Sequence, residues 1–303
     1  MKKISFLFVL LILLLNHDGL CQKTPVVVKT LVKNFAGNGS IFVGEDGNIY
    51  INEYGTPNSD ISGTGKRIFL VSPEGNVSTI SKKVSGAVGN LKGKDGTYYF
   101  NNGNSFYKSD FMSLKDGKIK KIATLEGFSG DILMDSENAF VYIPSYTHPV
   151  LRKVSLDGTV EDYIKDDRLK GVTGITYGAE KTIFVSNFTT GKIFKIDQDR
   201  TIRELATLPI VYPGYVIGYI TYFEEYIYAT GYGANQIYRI SMKGDVDVLA
   251  GSGKYMEKDG NSFEAGFITP NGIDVDEKRR RLYVSQNGNG KPASLRYIDL
   301  PKL

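Results

Sequence analysis

The sequence predicts an all-β protein made of six repeated units, on the basis of three observations. A short strand centred on an aromatic residue recurs six times, and successive aromatics lie 49, 43, 42, 44 and 55 residues apart. Tyr (20), Phe (16) and Gly (34) are abundant and the apolar runs are short, which is typical of β-structure. A period of about 40–50 residues is that of a four-stranded propeller blade. The predicted fold is a six-bladed β-propeller.

Each repeat has the same internal order. The aromatic centres of the predicted second strands are Tyr50, Tyr99, Tyr142, Phe184, Tyr228 and Tyr283. A glycine that opens the predicted first strand stands ten to twelve residues earlier, at Gly39, Gly89, Gly130, Gly174, Gly218 and Gly272. Turns such as Asp116-Gly117 follow the third strand and supply the positive φ of a tight hairpin. The fourth strands alternate polar and apolar residues, as half-exposed outer strands do.

The last unit lacks a fourth strand, because the sequence ends at Leu303, soon after a third strand near Leu295–Ile298. A spare apolar strand, Val26–Val32, precedes the first unit. We expect this N-terminal strand to join the last blade and close the ring, since closure removes exposed sheet edges.

The N-terminus has the pattern of an export signal. Lys2 and Lys3 precede an apolar run, Ile4–Leu15, which is too short for a membrane span. Cleavage after Cys21 would leave residues 22–303 as a single propeller domain, secreted or periplasmic. In the alternative, Cys21 carries a lipid and holds the protein at the cell surface. Cys21 is the only cysteine, so no internal disulfide is expected.

The charge pattern does not favour nucleic-acid binding. The formal net charge is +4, and the one basic run, Lys278–Arg281, falls at an expected hairpin turn. No further transmembrane segment is predicted, and we expect a monomer. The remaining partners are a small molecule, a glycan or a protein.

Residues 248–284 carry a family likeness. Leu249-Ala250-Gly251-Ser252-Gly253, Lys258-Asp259-Gly260 and Ala265-Gly266-Phe267 precede Thr269-Pro270-Asn271-Gly272 and Leu282-Tyr283-Val284. This order resembles an NHL repeat and the SMP-30/gluconolactonase group, both six-bladed propellers. The resemblance implies fold more strongly than function, because one fold hosts many activities.

The lactonase resemblance implies a divalent metal, Ca²⁺ or another, at the mouth of the central channel, with ligands just before the strand-opening glycines. Those positions hold Asn38, Val88, Ser129, Thr173, Ile217 and Asn271. Asn271 matches a family motif, Asn38 matches by position alone, and the set contains no carboxylate. Asp131 would join this set only if the register of its strand were shifted by two residues. Glu53, which follows a predicted second strand, is the other candidate acid. A divalent ion without a carboxylate lacks charge compensation, so the sequence identifies no cofactor.

The residues after each predicted second strand are rich in amide, hydroxyl and aromatic groups. These side chains either bind a sugar or peptide at the channel mouth or satisfy backbone groups at the blade corners. Tyr212, Tyr215 and Tyr219 are expected near the same mouth. The predicted ligand-binding residues are Asn38, Asn52, Glu53, Tyr54, Asn102, Asp131, Tyr146, Asn187, Tyr232, Asn271 and Gln286.

Three functions remain open from the sequence. The first is a binding propeller with its site at the channel mouth. The second is a lactonase-type hydrolase that uses Asn271, Glu53 and Asp131 at a metal. The third is a purely structural interaction module. The only histidine of the predicted mature chain, His148, lies on a loop with no evident orienting carboxylate, so a histidine-based mechanism has little support.

Overall fold

The computed structural model describes residues 25–55 and 65–302, and the regular secondary structure of this part of the chain is almost entirely β-strand. It forms six antiparallel sheets, one for each repeat. The inner strands of neighbouring sheets are in contact, and the last inner strand contacts the first. The predicted six-bladed β-propeller is confirmed. The predicted export signal, residues 1–21, lies outside the described residues.

The strands are numbered in chain order. Blades one to five are β2–β5 (Ile41–Val43, Ile49–Asn52, Lys66–Val71, Val77–Val84), β6–β9 (Ala87–Lys92, Tyr98–Ser105, Lys108–Lys115, Lys118–Glu126), β10–β13 (Leu133–Met134, Phe140–Pro144, Val150–Ser155, Val160–Lys165), β14–β17 (Val172–Tyr177, Ile183–Asn187, Lys192–Ile196, Ile202–Thr207) and β18–β21 (Ile217–Phe223, Tyr226–Gly231, Gln236–Ser241, Val246–Ala250). Blade six is β23 (Pro270–Asp276), β24 (Arg281–Gln286), β25 (Ala293–Asp299) and β1 (Val27–Phe35), with β22 (Gly260–Asn261) beyond β1. Short 3₁₀ helices span Asp167–Leu169, Ala179–Lys181 and Gly288–Gly290. Across the described residues, no helix has the length and apolar character needed to cross a membrane.

The N-terminal strand closes the ring as predicted. β1 pairs antiparallel with β25, with Val28 opposite Ile298 and Phe35 opposite Ala293. The sixth blade is therefore built from both ends of the described chain. Since β1 supplies the outer strand that blade six lacks, β25 does not remain an open edge.

The core lies between the blades. The six aromatic centres all sit on second strands and are all buried, with exposed fractions of 9% or less. Some of them stack on an aromatic ring of the next blade. Examples are Tyr50 on Tyr98 (ring centroids 5.7 Å apart) and Phe184 on Tyr222 (6.4 Å). Each sheet thus covers the face of its neighbour, and no blade can bury its apolar residues alone.

The inner strands meet at the predicted glycines and form a narrow waist in the channel. A Cβ added to Gly130 would lie 2.4 Å from the backbone oxygen of Thr173, and one added to Gly272 would lie 2.4 Å from that of Gly39. Gly89 and Gly218 are in similarly close contact with the next blade. Only a residue without a Cβ allows this approach, so the glycines define the waist.

Polar residues within the second strands connect neighbouring blades at the waist. In four blades, a side-chain amide or hydroxyl donates a hydrogen bond to a backbone oxygen of the next inner strand. The pairs are Asn52 with Gly89, Asn101 with Gly130, Thr230 with Asn271 and Ser285 with Gly39, over 2.6–3.3 Å. These donors are fully buried, so each bond satisfies groups that water does not reach.

Replacing one of these donors is expected to destabilise the ring. Thr230 Oγ1 donates to the Asn271 oxygen (2.6 Å) and accepts from the Tyr219 amide (2.9 Å). Thr230→Val keeps the shape but leaves both groups unpaired, which should cost about 2 kcal/mol of unfolding free energy in urea. Thr79→Val, on the exposed strand β5, is the control. Equal unfolding midpoints for both variants would show that the bond does not hold the waist.

Candidate functional site

Two cavities lie at opposite ends of the inner strands. Along five of these strands, residues at or before the glycine line one cavity and residues two or three places later line the other. In blade five, Tyr219, one residue after Gly218, lines the first cavity and Ile220 lines the second. For example, Gly39 borders the first and Ile41 the second, and Asn271 borders the first and Ile273 the second. We call the first the mouth cavity and the second the base cavity. The waist separates them.

Aromatic side chains dominate the mouth cavity, which has a volume of about 250 Å³. They are Tyr54, Phe106, Phe128, Tyr146, Phe188, Tyr215, Tyr219 and Tyr232. Gly39, Val88, Thr173, Asn271 and Asn287 complete the lining. Among residues 25–55 and 65–302, the side chains around this cavity therefore include many ring faces and a few amide and hydroxyl groups, but no carboxylic acid, lysine, arginine or histidine.

The rings hold one another in a continuous collar. Phe128 contacts Tyr54 and Tyr146 edge-on, with ring centroids 6.1 and 6.3 Å apart. Phe188 contacts Tyr146 (6.1 Å) and Tyr232 (5.4 Å) in the same manner. Edge-to-face pairs of this kind are attractive and directional. The collar is consequently preorganised, and a ligand need not order it.

Four of these rings occupy the same position of the repeat, just after the second strand of a blade. Tyr54, Tyr146, Phe188 and Tyr232 each follow the second strand of a blade, at β3, β11, β15 and β19. Antiparallel pairing brings the end of every second strand beside the start of the first strand, and all first strands begin at the mouth. One position of the repeat thus contributes a ring from four blades.

Burial favours the protonated form of three mouth tyrosines, Tyr54, Tyr219 and Tyr232. It raises the pKa of Tyr54 to about 12, with a further contribution from Tyr146. Burial also raises the pKa of Tyr219 well above its usual value, and that of Tyr232. At neutral pH these phenols are neutral groups that both donate and accept hydrogen bonds.

One amide of the mouth has an unused acceptor. Asn287 Oδ1 is buried without a hydrogen-bond partner, and the residue is 2% exposed. Asn271 is fixed by its Nδ2, which donates to the Asn38 backbone oxygen over 2.6 Å. A hydrogen-bond donor on a ligand would pair with the Asn287 oxygen. Without such a partner, burial of this oxygen costs folding free energy.

The structure brings four of the predicted binding residues to the mouth cavity: Tyr54, Tyr146, Tyr232 and Asn271. It also places Tyr215 and Tyr219 there. The ring of Tyr212 contacts that of Tyr215 in a tilted arrangement, with ring centroids 5.7 Å apart. The aromatic part of the predicted face and Asn271 therefore share one end of the channel.

Five predicted amides serve the backbone instead of the cavity. Asn38 holds the amides of Tyr54 and Gly55 (2.8 and 3.3 Å), and Asn187 holds those of Thr189 and Thr190 (both 3.1 Å). Asn52 donates to the Gly89 backbone oxygen, Asn102 accepts from the Ser85 amide, and Gln286 accepts from the Ile268 amide. For these residues the structure follows the alternative that amides satisfy backbone groups at blade corners.

The two predicted acids lie in separate places. Glu53 forms a bidentate ion pair with Arg67 (2.6 and 3.2 Å), and it is not part of the mouth lining. Asp131 follows Gly130 and therefore lies past the waist, in the base cavity. Asn271, Glu53 and Asp131 do not converge, and the neutral side chains of the mouth do not fit a divalent ion there. The metal set proposed for a lactonase is not assembled.

Asp131 and Asp274 are two partly buried acids that line the base cavity. Burial raises the pKa of Asp131 to about 8 against the effect of backbone amides, and Asp274 adds a repulsive contribution. Burial raises the pKa of Asp274 to about 6, while the Val43 amide and Thr221 hydroxyl lower it. The protonated forms of both acids are therefore favoured in the folded protein.

The predicted binding residues omit three rings of the collar, Phe106, Phe128 and Phe188. Phe106 stands in the turn between β7 and β8, and Phe128 stands two residues before Gly130. The position of Phe128 just ahead of a strand-opening glycine was the available signal. His148 lies outside both cavities, with Nε2 3.9 Å from Glu126, beyond hydrogen-bonding distance.

Six blades around a channel, with a collar of aromatic residues at one end, define the class as a six-bladed β-propeller with an aromatic cavity at its mouth. No protein-family model and no curated protein matches the chain in sequence. Solved structures do match it, and they include SMP-30/gluconolactonase-like and streptogramin B lyase propellers, as the sequence resemblance to the first group predicts.

Three solved structures illustrate the likeness. An auxiliary nutrient binding protein from Bacteroides thetaiotaomicron matches with a TM-score of 0.72 and 14% identity, over 91% of this chain and 76% of its own. A gluconolactonase from Xanthomonas campestris matches with 0.65 and 12%, over 91% and 90%. A virginiamycin B lyase from Staphylococcus aureus matches with 0.61 and 16%, over 90% and 99%. At these identities the likeness shows the fold alone.

The raised pKa of Asp131 predicts a pH dependence of stability. An unfolded aspartate has a pKa of 3.8, so between about pH 4 and 8 the folded state binds more protons than the unfolded state. Stability then falls as pH rises through this window, and we expect the Tm to decrease from pH 5 to pH 8.5. Asp131→Asn should flatten the decrease, because Asn does not titrate.

Asp274, whose pKa burial raises to about 6, titrates in the same window and contributes to the decrease, so Asp131→Asn should flatten the decrease only in part. The tyrosines near Asp131 do not titrate there. The pKa of Tyr98 and of Tyr219 is raised well above 10.0 by burial, and Lys92 Nζ is bound to the Tyr50 hydroxyl (2.8 Å). Asp95→Asn is the matched control, since the Thr97 hydroxyl and Lys115 lower its pKa to about 2. A parallel pH profile for Asp131→Asn and the unmodified protein would contradict the prediction.

Proposed function

We propose that the protein is an extracytoplasmic binding protein that takes up a neutral ring-shaped molecule, a sugar unit of a glycan, in the mouth cavity. The observation that carries this proposal is the continuous aromatic collar, whose lining contains no charged side chain among the residues that the structure describes. Such a site selects ligands by ring faces and hydrogen bonds and offers no ion pair to a charged ligand.

The chemistry of the lining supports a sugar. A pyranose has two faces of C–H groups and an edge of hydroxyls. The faces pack on Tyr and Phe rings, which bury large apolar areas at low entropic cost. The hydroxyls match the neutral phenols and the unused oxygen of Asn287. A cavity of about 250 Å³ is smaller than the roughly 300–1,000 Å³ of sites for drug-sized ligands, and it suits one such ring.

The surface around the cavity supports a ligand longer than one ring. Exposed apolar side chains stand on the loops at the mouth end: Tyr107 (85% exposed), Ile210 (55%), Val211 (62%), Tyr212 (60%) and Tyr255 (55%). Tyr212 is joined to the collar through Tyr215. Exposed apolar groups next to a pocket are typical of binding surfaces. In our proposal the terminal unit enters the cavity and the following units lie across this rim.

Two further observations support binding outside the cytoplasm. The N-terminal pattern is that of an export signal, and one solved structure with the same fold is an auxiliary nutrient binding protein. The hydrolase alternative is less favoured, because its acids do not meet at the mouth. In the alternative form of this proposal, a lipid on Cys21 holds the protein at the cell surface.

Removing a ring from the collar should weaken glycan binding. The probe is an array of neutral oligosaccharides of glucose, galactose, mannose and N-acetylglucosamine, followed by titration calorimetry of the best binder. Tyr146→Ala removes the ring that bridges Phe128 and Phe188, and we expect at least about a tenfold loss of affinity. Tyr146→Phe should retain most of it.

The control is Tyr163→Ala, which removes a ring from the outer strand β13, away from the mouth. Its affinity should equal that of the unmodified protein, with folding checked by melting. Equal affinity for Tyr146→Ala would place the glycan elsewhere. If no oligosaccharide binds, the sugar assignment is wrong.

A further inference from the structure

Lysines are grouped at the mouth end of blades six, one and two. These blades are adjacent, because their inner strands β23, β2 and β6 are in contact in that order. Third strands begin and fourth strands end at the mouth, since the first strands begin there and the strands of each blade pair antiparallel. The lysines at or close to these strand ends, which we call the basic arc, are Lys291 and Lys33 in blade six, Lys66, Lys82 and Lys83 in blade one, and Lys108 in blade two.

The lysines of the basic arc carry positive charge without an internal partner. Five of them are exposed, and Lys66 is half-buried. Among the ion pairs of residues 25–55 and 65–302, none includes a lysine of the arc. Their ammonium groups are therefore available to an anion from outside the chain.

Most acids near the same end of these blades are bound within the chain. The pairs are Glu53 with Arg67 (2.6 Å), Asp259 with Arg296 (2.7 Å), Glu257 with Gln286 (2.9 Å) and Asp110 with Thr124 (2.6 Å). Glu126 stands opposite Lys108 in the ladder and is paired with no lysine or arginine in the described chain. The six lysines outnumber the acids that arginines do not neutralise, so the arc has an excess of positive charge.

The basic arc borders the mouth cavity at blade two. Phe106 lines the cavity, and Tyr107 and Lys108 follow it directly at the β7–β8 turn. Tyr107 is 85% exposed and offers a ring face beside the Lys108 ammonium group. A chain of sugar units that leaves the cavity past Phe106 therefore meets an aromatic ring and a cation.

The lysines of blade one lie close to the same hairpin. Lys82 and Lys83 stand near the end of β5, and the Ser85 amide, two residues further on, donates to Asn102 Oδ1 on β7 (2.7 Å). The end of β5 is thus in contact with the hairpin that carries Lys108. The three lysines lie on one side of the mouth.

We infer that the glycan bound at the mouth is acidic, with a neutral unit in the mouth cavity and units that bear carboxylate or sulfate across the basic arc. This inference rests on the proposed function and names the ligand class of the same site. In the described chain the cavity lining has no cation, so the charge of the ligand lies on the units outside. Ammonium groups form charge-assisted hydrogen bonds with such anions. Because the lysines come from three blades, a chain with repeated charges engages more of them than a single anion does.

The test uses tetrasaccharides in matched pairs that differ only in charge. Fragments of hyaluronan, gellan and glucuronoxylan are compared with their methyl esters, and these pairs test the carboxylate. A chondroitin sulfate fragment is compared with unsulfated chondroitin, and this pair tests the sulfate. In titration calorimetry at about 50 mM NaCl, the more charged member of at least one pair should bind at least about tenfold tighter. Most of this difference should be lost at about 500 mM NaCl.

The variant that combines Lys82→Gln and Lys83→Gln should weaken binding of the more charged member at least about threefold. Its affinity for the less charged member should stay that of the unmodified protein. The matched control combines Lys118→Gln and Lys120→Gln, which removes two exposed lysines from the half of β9 away from the mouth. The control should bind both members as the unmodified protein does.

Equal affinities within every pair would overturn the acidic assignment and leave glycan binding in place. If no tetrasaccharide binds, charged or neutral, the proposed function is wrong and this inference with it. Equal losses in the two lysine variants would show that the basic arc is not the site. Tighter binding to vesicles of phosphatidylcholine and phosphatidylglycerol than to any charged tetrasaccharide would assign the arc to a lipid surface and contradict the inference.

Discussion

Close contact between the backbones of the inner strands is the constraint on which the rest of the structure depends. Six sheets fit around one axis only if each first strand approaches the next to within backbone contact, as at Gly130 against Thr173 and Gly272 against Gly39. A side chain at these points would hold the blades apart. The glycines therefore set the width of the ring, and they divide the channel into a mouth and a base.

The two ends acquire different chemistry from this division. At the mouth, the residues after the second strands present rings, and the contacts of Phe128 and Phe188 join them in a collar. At the base, the residues after the glycines present Asp131 and Asp274. In our proposal the neutral end binds a ring-shaped ligand. A single inner strand contributes to the lining of both cavities.

Much of the fold was predictable, because the spacing between copies of a repeated motif gives the length of one blade directly. The spacing of Tyr50, Tyr99 and their equivalents gave six blades, and the spare strand near Val28 gave the closure with β25. The glycine positions predicted the inner strands. These features depend on chain order and on the absence of a side chain, and both are visible in a single sequence.

The site was predictable only in part, because the sequence indicates where a residue stands along a strand and not what its side chain meets. Asn52 and Tyr54 are two residues apart, yet the first turns to the neighbouring backbone and the second to the cavity. Asp131 lies one residue past Gly130, and that single step carries it through the waist. Phe106 depends on a turn whose direction no local pattern specifies.

The most direct measurement of the waist is the unfolding free energy of Gly130→Ala beside Gly93→Ala. Neither glycine has a positive φ, so backbone conformation is not at issue. The added methyl at 130 would meet backbone atoms of Thr173 at 2.4 Å, whereas at 93 it would meet the side chains of Asp95 and Tyr99 at 3.1 and 3.2 Å, which can move. The account predicts a loss of about 3 kcal/mol or more for Gly130→Ala and a much smaller loss for Gly93→Ala. Equal, small losses would show that close contact of the inner strands does not hold the ring.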